Sequence, residues 1–254
     1  KDLIVHASAL LINIGTLTPD KASYYKEAIA LAKKYEVPVV LDPVGCHAGA
    51  YRLSVVLDLL KTGAISLLRG NQSETKAIYD ALSSDTKEAA STLGKGVDGA
   101  QVADSAVTAY RLARLINCPV VATGEEDYVS DGTRVFAVPH GHPIMTAVTG
   151  TGCLLGAVLA AFFSAYYPCK DRLSIGEFLA YALAYYGLAG ESAVQVSGVQ
   201  PGSFSVAFMD SLYTLDDAVL ISENRIRPVV VPDQLQVYFI SGTQDVELNE
   251  NRLL

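Results

Sequence analysis

Residues 146–158 read TAVTGTGCLLGAV, a turn rich in threonine and glycine that runs straight into an apolar segment. The N–H groups that open a helix have no acceptor inside it, and glycines let a ligand come close to them. The stretch therefore suits an anion cradle over Gly150, Thr151, Gly152 and Cys153, or a loose dinucleotide fingerprint of the form G-x-G-x-x-x-G. Cys153 falls in the first helical turn, where the helix dipole favours negative charge. There it could take a proton from an attacking hydroxyl. The plainer reading of a cysteine in an apolar run is a small packed hydrophobe.

Other candidates stand in PVVLDPVG, LLRGNQSE and VVATG: Asp42, Arg69, Asn71, Glu74 and Thr123. Each has an ordinary reading. Asp before Pro is a turn residue, Arg69 a surface ion pair, Glu74 a first-turn acid favoured by the helix dipole, and Thr123 a strand-end hydroxyl. What sets them apart is joint placement at the C-terminal ends of apolar strands, where open α/β sheets bind ligands. Two acids, a guanidinium and a helix N-terminus are the parts needed to handle a nucleoside triphosphate with Mg2+.

The context decides against the dinucleotide fingerprint. Such a turn joins the first strand to its helix and has an acid about 20 residues on, at the next strand end. Here PHGHPIMTAV separates the turn from the strand VFAV, and Asp171 follows a helix and a proline. No G-x-x-x-x-G-K-[ST] is present either.

The elements that must position these residues alternate. Apolar runs predict strands over Ser8–Gly15, Val37–Gly45, Ala64–Asn71 and Cys118–Gly124, and a hairpin over Asp127–Val138 turning at Asp131–Gly132. Helical spacing starts at Pro19 and again over 72–82 and 103–117, the last capped by Asp104 or Ser105 after a loop over Lys95–Gln101. Long apolar helices begin near Cys153 and Ser174, and a third covers 204–215. The apolar helices around 154–163 and 178–188 offer more hydrophobic surface than one core needs. The pattern predicts an α/β fold with a mostly parallel sheet covered by helices on both faces. Residues 227–254 carry strand-like runs without a helix signal, which leaves an edge strand, a partner-binding extension or junction sequence open.

With 254 residues, half of them hydrophobic and 18% charged, the chain can bury a large core. Its net charge of −8 argues against a nucleic-acid partner. The longest apolar run, LLGAVLAAFFSAYYPC, is short for a bilayer span, so no membrane is expected. Four cysteines without a C-x-x-C pair, and no secretory signal, point to a reducing, cytoplasmic setting. The chain opens at Lys1 without an initiator Met, as one domain of a longer protein would.

The motifs ALLINIGTLTPD, PVVLDPVG, RGNQSE, KGVDG, VVATGEEDYVSDG, GHPIMTAVTGTGC and PGSFSVAFMDSLY, in that order, resemble those of hydroxyethylthiazole kinase, a thiamine-salvage enzyme of the ribokinase-like superfamily. The resemblance implies a three-layer ribokinase-like domain over 1–223, with a tail of unknown role over 224–254. It implies transfer of phosphate from ATP, with Mg2+, to the primary hydroxyl of 4-methyl-5-(2-hydroxyethyl)thiazole. By motif, Arg69 and Thr123 would contact ATP. Asp42, Glu74 and Asn71 would organise Mg2+, through water, and the phosphates. Gly150, Thr151 and Gly152 would form the anion hole with Cys153, Gly150 would touch the thiazole, and Cys153 would be the catalytic group. A homotrimer with sites between subunits comes with the family. So does an opening segment that helps bind the thiazole and is absent before Lys1. A kinase part fused behind thiamine-phosphate synthase, as in fungi, is compatible with that start. The alternatives are a hydroxymethylpyrimidine or pyridoxal kinase, against which Cys153 in place of Asp argues, and a non-catalytic ligand-binding or assembly module.

Overall fold

The computed structural model describes residues 2–85, 99–166 and 170–233. A short helix α1 (Asp2–Val5) leads to strand β1 (Leu10–Asn13), helix α2 (Pro19–Lys34) and strand β2 (Val39–Asp42). A 3-10 turn and helix α3 (Ala50–Leu60) connect to β3 (Leu67–Asn71), which runs directly into α4 (Gln72–Asp85). Then come α5 (Gly99–Ile116), β4 (Val120–Thr123) and the hairpin β5 (Asp127–Ser130) and β6 (Val135–Val138). A loop with a 3-10 turn at Pro143–Ala147 enters α6 (Thr151–Ser164). Helices α7 (Ile175–Ser197), α8 (Pro201–Thr214) and α9 (Asp217–Ser222) follow, and β7 (Arg227–Val229) closes the order.

The seven strands form one sheet in chain order. β1 to β4 are parallel, as expected of strands joined through helices. The hairpin and β7 extend the sheet antiparallel, so Arg227–Val229 is an edge strand. Alternate strand residues part to opposite faces. Val39 and Leu41 join one core with Ile29, Val56, Ile78 and Leu112 from α2 to α5. Val40 joins the other with Leu159, Leu183 and Phe204 from α6 to α8. The result is a helix–sheet–helix sandwich with the parallel strand ends along one rim.

Local chemistry sets the helix starts. The Thr18 hydroxyl accepts the Lys21 N–H at 3.3 Å, with Pro19 in the first helical position. The Ser174 hydroxyl accepts the Glu177 N–H at 3.1 Å. The predicted cap at Asp104 or Ser105 is not one. α5 already runs from Gly99, and both residues lie inside it. Gly99 and Gln101 interrupt the apolar period at its start, which hides the first turn. Of the expected loop Lys95–Gln101, residues 95–98 lie outside the described residues. Helix α3 has no counterpart in the sequence reading, although Val55, Val56 and Leu59 have helical spacing and are buried.

The apolar faces of α6 and α7 are used internally, with Leu155, Leu159, Phe163, Leu179 and Leu183 buried. The exposed apolar stripe lies instead on α8, where Val206, Met209 and Tyr213 are 65%, 54% and 91% exposed at helical spacing. Among the described residues no helix is long and apolar enough to cross a membrane.

Candidate functional site

The parallel strands bring their C-terminal residues level. Asn13 pairs in register with Asp42, and Asn71 with Thr123. Asp42 is fully buried at the end of β2. Its Oδ2 accepts the Asn13 side-chain amide at 2.9 Å, and Arg69 Nη1 lies 3.5 Å from both carboxylate oxygens. Burial pushes the Asp42 carboxyl up to about 6, against the pull of the Arg69 charge and with help from the Glu74 charge.

Arg69 is 8% exposed. Its Nη2 donates to Thr123 Oγ1 at 3.1 Å. Its Nε is buried and has no partner among the described residues. A guanidinium carries five donors, and a buried one left unmatched is costly. Its Nη atoms lie beside the first turn of α6, and a guanidinium with a helix N-terminus is suited to an anion.

Asn71 and Glu74 form a reciprocal helix cap. Asn71 Oδ1 accepts the Glu74 N–H at 2.8 Å, and Glu74 Oε2 accepts the Asn71 N–H at 2.8 Å. Glu74 Oε1 accepts the Gly45 N–H at 2.8 Å, where Gly45 takes a left-handed φ of 69°. The N-x-x-E spacing thus first joins three backbone segments beneath the rim. Each carboxylate oxygen keeps a further lone pair beyond these bonds. Mg2+ binds through few carboxylates and retains its waters, so Asp42 and Glu74 fit a hydrated ion better than direct chelation. Among the described residues no three His, Cys, Asp or Glu side chains converge to hold a metal directly.

The turn before α6 explains its glycines. Gly150 has φ 98°, which a residue with a Cβ rarely adopts, and its Cβ position faces open space. A Cβ on Gly152 would stand 3.4 Å from Arg69 Nη2. One on Gly156 would stand 3.3 Å from Asp42 Oδ2. The pattern read as a loose fingerprint is therefore what lets α6 lie directly on the buried pair. Thr151 is tied back to its own turn. Its hydroxyl donates to the carbonyls of Met145 at 2.8 Å and Val148 at 3.1 Å, and its N–H is directed to Val148 O at 3.4 Å. The N–H groups of Gly152 and Cys153 have no acceptor one turn back in the helix. Cys153 is exposed.

Three residues belong here that the sequence reading passed over. Asn13 orients Asp42. Tyr186 of α7 donates its hydroxyl to Thr151 O at 2.5 Å and so braces the turn. Asp127 opens β5, accepts the Gly124 N–H at 3.0 Å and is pushed up to about 7 by burial, with Arg69 opposing. Asn13 and Tyr186 sit in apolar runs that read as core. Asp127 reads as a hairpin residue.

Residues 1–218 match the model of the hydroxyethylthiazole kinase family. A hydroxyethylthiazole kinase of Streptococcus agalactiae serotype Ia is 45% identical over 224 residues, covering 88% of this chain and 82% of its own. One from Streptococcus suis is 42% identical, over 89% of this chain and 80% of its own. Among solved structures, a hydroxyethylthiazole kinase protein from Pyrococcus horikoshii OT3 superposes with a TM-score of 0.76 at 31% identity, over 90% of this chain and 80% of its own. A pyridoxal kinase from Leishmania donovani, at TM-score 0.55 and 12% identity over 90% of this chain and 77% of its own, shares the fold alone.

Proposed function

This chain belongs to the hydroxyethylthiazole kinase family, and we propose from that premise how its rim of strand ends works. The protein transfers the terminal phosphate of ATP to the primary hydroxyl of 4-methyl-5-(2-hydroxyethyl)thiazole, forming a phosphate monoester and ADP. The single observation behind the site assignment is the buried Arg69, whose Nε lacks a partner while its Nη atoms lie against the first turn of α6.

Arg69 and Thr123 bind the phosphate chain, with the guanidinium supplying charge-assisted hydrogen bonds. The N–H groups of Gly152 and Cys153 receive charge on the migrating phosphoryl group as it builds in the transition state. These donors are fixed by the helix and need no rearrangement when charge develops. Asp42 and Glu74 would hold a hydrated Mg2+, and the ion would supply charge neutralisation to the phosphates. Cys153, exposed beside those N–H groups, accepts the proton of the attacking alcohol or orients it. Its departure from the Asp of related kinases tells for the thiazole alcohol over pyridoxal or a pyrimidine alcohol.

A homotrimer belongs to the same proposal. The α8 stripe of Val206, Met209 and Tyr213 supports burial against a second copy of the chain, because helices seldom leave such a face in water. The site assignment is tested by Arg69→Ala. Weaker ATP binding with an unchanged thiazole KM supports it, and the reverse pattern refutes it.

A further inference from the structure

The loop 139–150 joins β6 to the anion turn, and α7 is shaped to receive it. A Cβ on Gly187 would stand 2.5 Å from His140 Cβ, and one on Gly190 2.5 Å from Met145 Sδ. At Gly187 the loop backbone itself is in the way, with His140 C at 2.7 Å, so only glycine lets the loop lie so close there, while at Gly190 the Met145 side chain fills the space. Glu191, the next residue of α7, accepts the Gly141 N–H on Oε1 at 2.8 Å, where Gly141 has φ 116°.

A segment from the far end of the chain closes over this contact. Arg225 lies between α9 and the edge strand β7, two residues before Arg227, which pairs opposite Ala137 of β6. Arg225 Nη2 donates to the same Glu191 Oε1 and lies 2.8 Å from His140 Nδ1. The Arg225 N–H meets His140 Nε2 at 3.2 Å. The His140 side chain is fully buried, and burial together with the Arg225 charge holds its pKa below the usual value. A neutral ring accepts at one nitrogen only, so it takes a hydrogen bond either from the Arg225 backbone N–H at Nε2 or from the guanidinium at Nδ1. Neutral His140 leaves Arg225 as the full cation on Glu191 in this cluster. The loop then passes its position on, because the Met145 carbonyl accepts the Thr151 hydroxyl that opens α6.

We propose that Arg225, acting through Glu191 and His140, is a positioning residue that clasps the loop 139–150 and so sets the anion turn for phosphoryl transfer. The inference rests on the kinase reading above. Arg225 lies beyond residues 1–218, which the family model matches, so nothing in that match assigns it a role. Glu191 would matter for the same reason, as the anion that gathers a loop amide and a terminal guanidinium on one oxygen.

The test is amide hydrogen exchange on the full chain, read by segment, with steady-state kinetics alongside. Arg225→Ala is expected to speed exchange over 139–150 on the order of tenfold, the effect of losing one charge-assisted hydrogen bond. Exchange over 67–85, on the nucleotide side, stays as in the wild type. The same variant lowers kcat with thiazole while leaving the ATP KM in place. Arg225→Lys keeps a cation near Glu191 and restores part of both. Unchanged exchange over 139–150 in Arg225→Ala overturns the clasp. So does a uniform rise across all segments with a lowered melting midpoint, or a lysine variant no better than alanine. A wild-type protein that does not phosphorylate the thiazole would refute the kinase reading, and the exchange pattern would still decide the clasp.

Discussion

Asp42 offers a perturbation whose size can be worked from the structure. The carboxyl is fully buried and pushed from 3.8 up to about 6 by burial, with the Arg69 charge only partly opposing. A folded value above the unfolded one means that the folded state holds the proton more tightly between the two. The stability this group contributes is therefore fully present below about pH 4 and is lost as pH rises through about 6. Two pH units at about 1.4 kcal/mol each give a loss of about 3 kcal/mol. Asn keeps the acceptor oxygen for the Asn13 amide and stands in for the protonated acid at every pH. Asp42→Asn should thus match the wild type near pH 4 and become more stable by about 3 kcal/mol above pH 6, while losing phosphoryl transfer. Urea unfolding followed by far-ultraviolet circular dichroism across this range measures it. Asp127, also raised, to about 7, adds the same slope to both proteins, so the difference isolates Asp42. Parallel stability curves for the two proteins would refute the reasoning. A variant less stable at neutral pH would mean that Arg69 needs its anion more than burial opposes it.

Other expectations follow from the same geometry. Arg69→Ala should weaken ATP by about 1.5–3 kcal/mol, read as a rise in the ATP KM with the thiazole KM little changed. Cys153→Ala should leave ATP binding intact and lower kcat on the order of a hundredfold, while Cys153→Asp keeps activity; an active Ala variant beside a dead, destabilised Asp variant would remove Cys153 from the chemistry. Gly150→Ala should cost about 1–2 kcal/mol in thermal or urea melts, because φ 98° and not crowding excludes a side chain there. Met209→Glu with Tyr213→Asp should turn a trimer into a smaller species by light scattering, and a wild-type monomer with full activity would exclude the trimer.

The rim was legible because polar residues that end apolar strands stand out: Asp42, Arg69 and Thr123 could be placed together before any coordinates. Parallel register then supplied what spacing cannot, bringing Arg69 onto Thr123 and Asp42 from separate strands. The N-x-x-E spacing was visible, but a spacing does not tell a metal-holding pair from the reciprocal cap that Asn71 and Glu74 form. Nor does spacing tell what the Thr151 hydroxyl does. A hydroxyl at a helix start can face a ligand or tie back to its own turn, and local carbonyls won. Gly156 ended the loose fingerprint pattern, while Gly187 and Gly190 carried no signal in the sequence. Their use lies in close approach to Asp42, His140 and Met145, a tertiary fact. Tyr186 was lost for want of contrast, a hydroxyl among buried side chains.

The most direct measurement is a side-by-side turnover assay of the purified chain with Mg-ATP and each of three alcohols: the thiazole, hydroxymethylpyrimidine and pyridoxal. ADP release is counted and the products are weighed by mass spectrometry. One phosphate monoester of the thiazole per ADP is expected, with kcat/KM for the thiazole well above the other two. ADP release without a thiazole phosphate, or a higher kcat/KM for pyridoxal or the pyrimidine, would contradict the kinase reading.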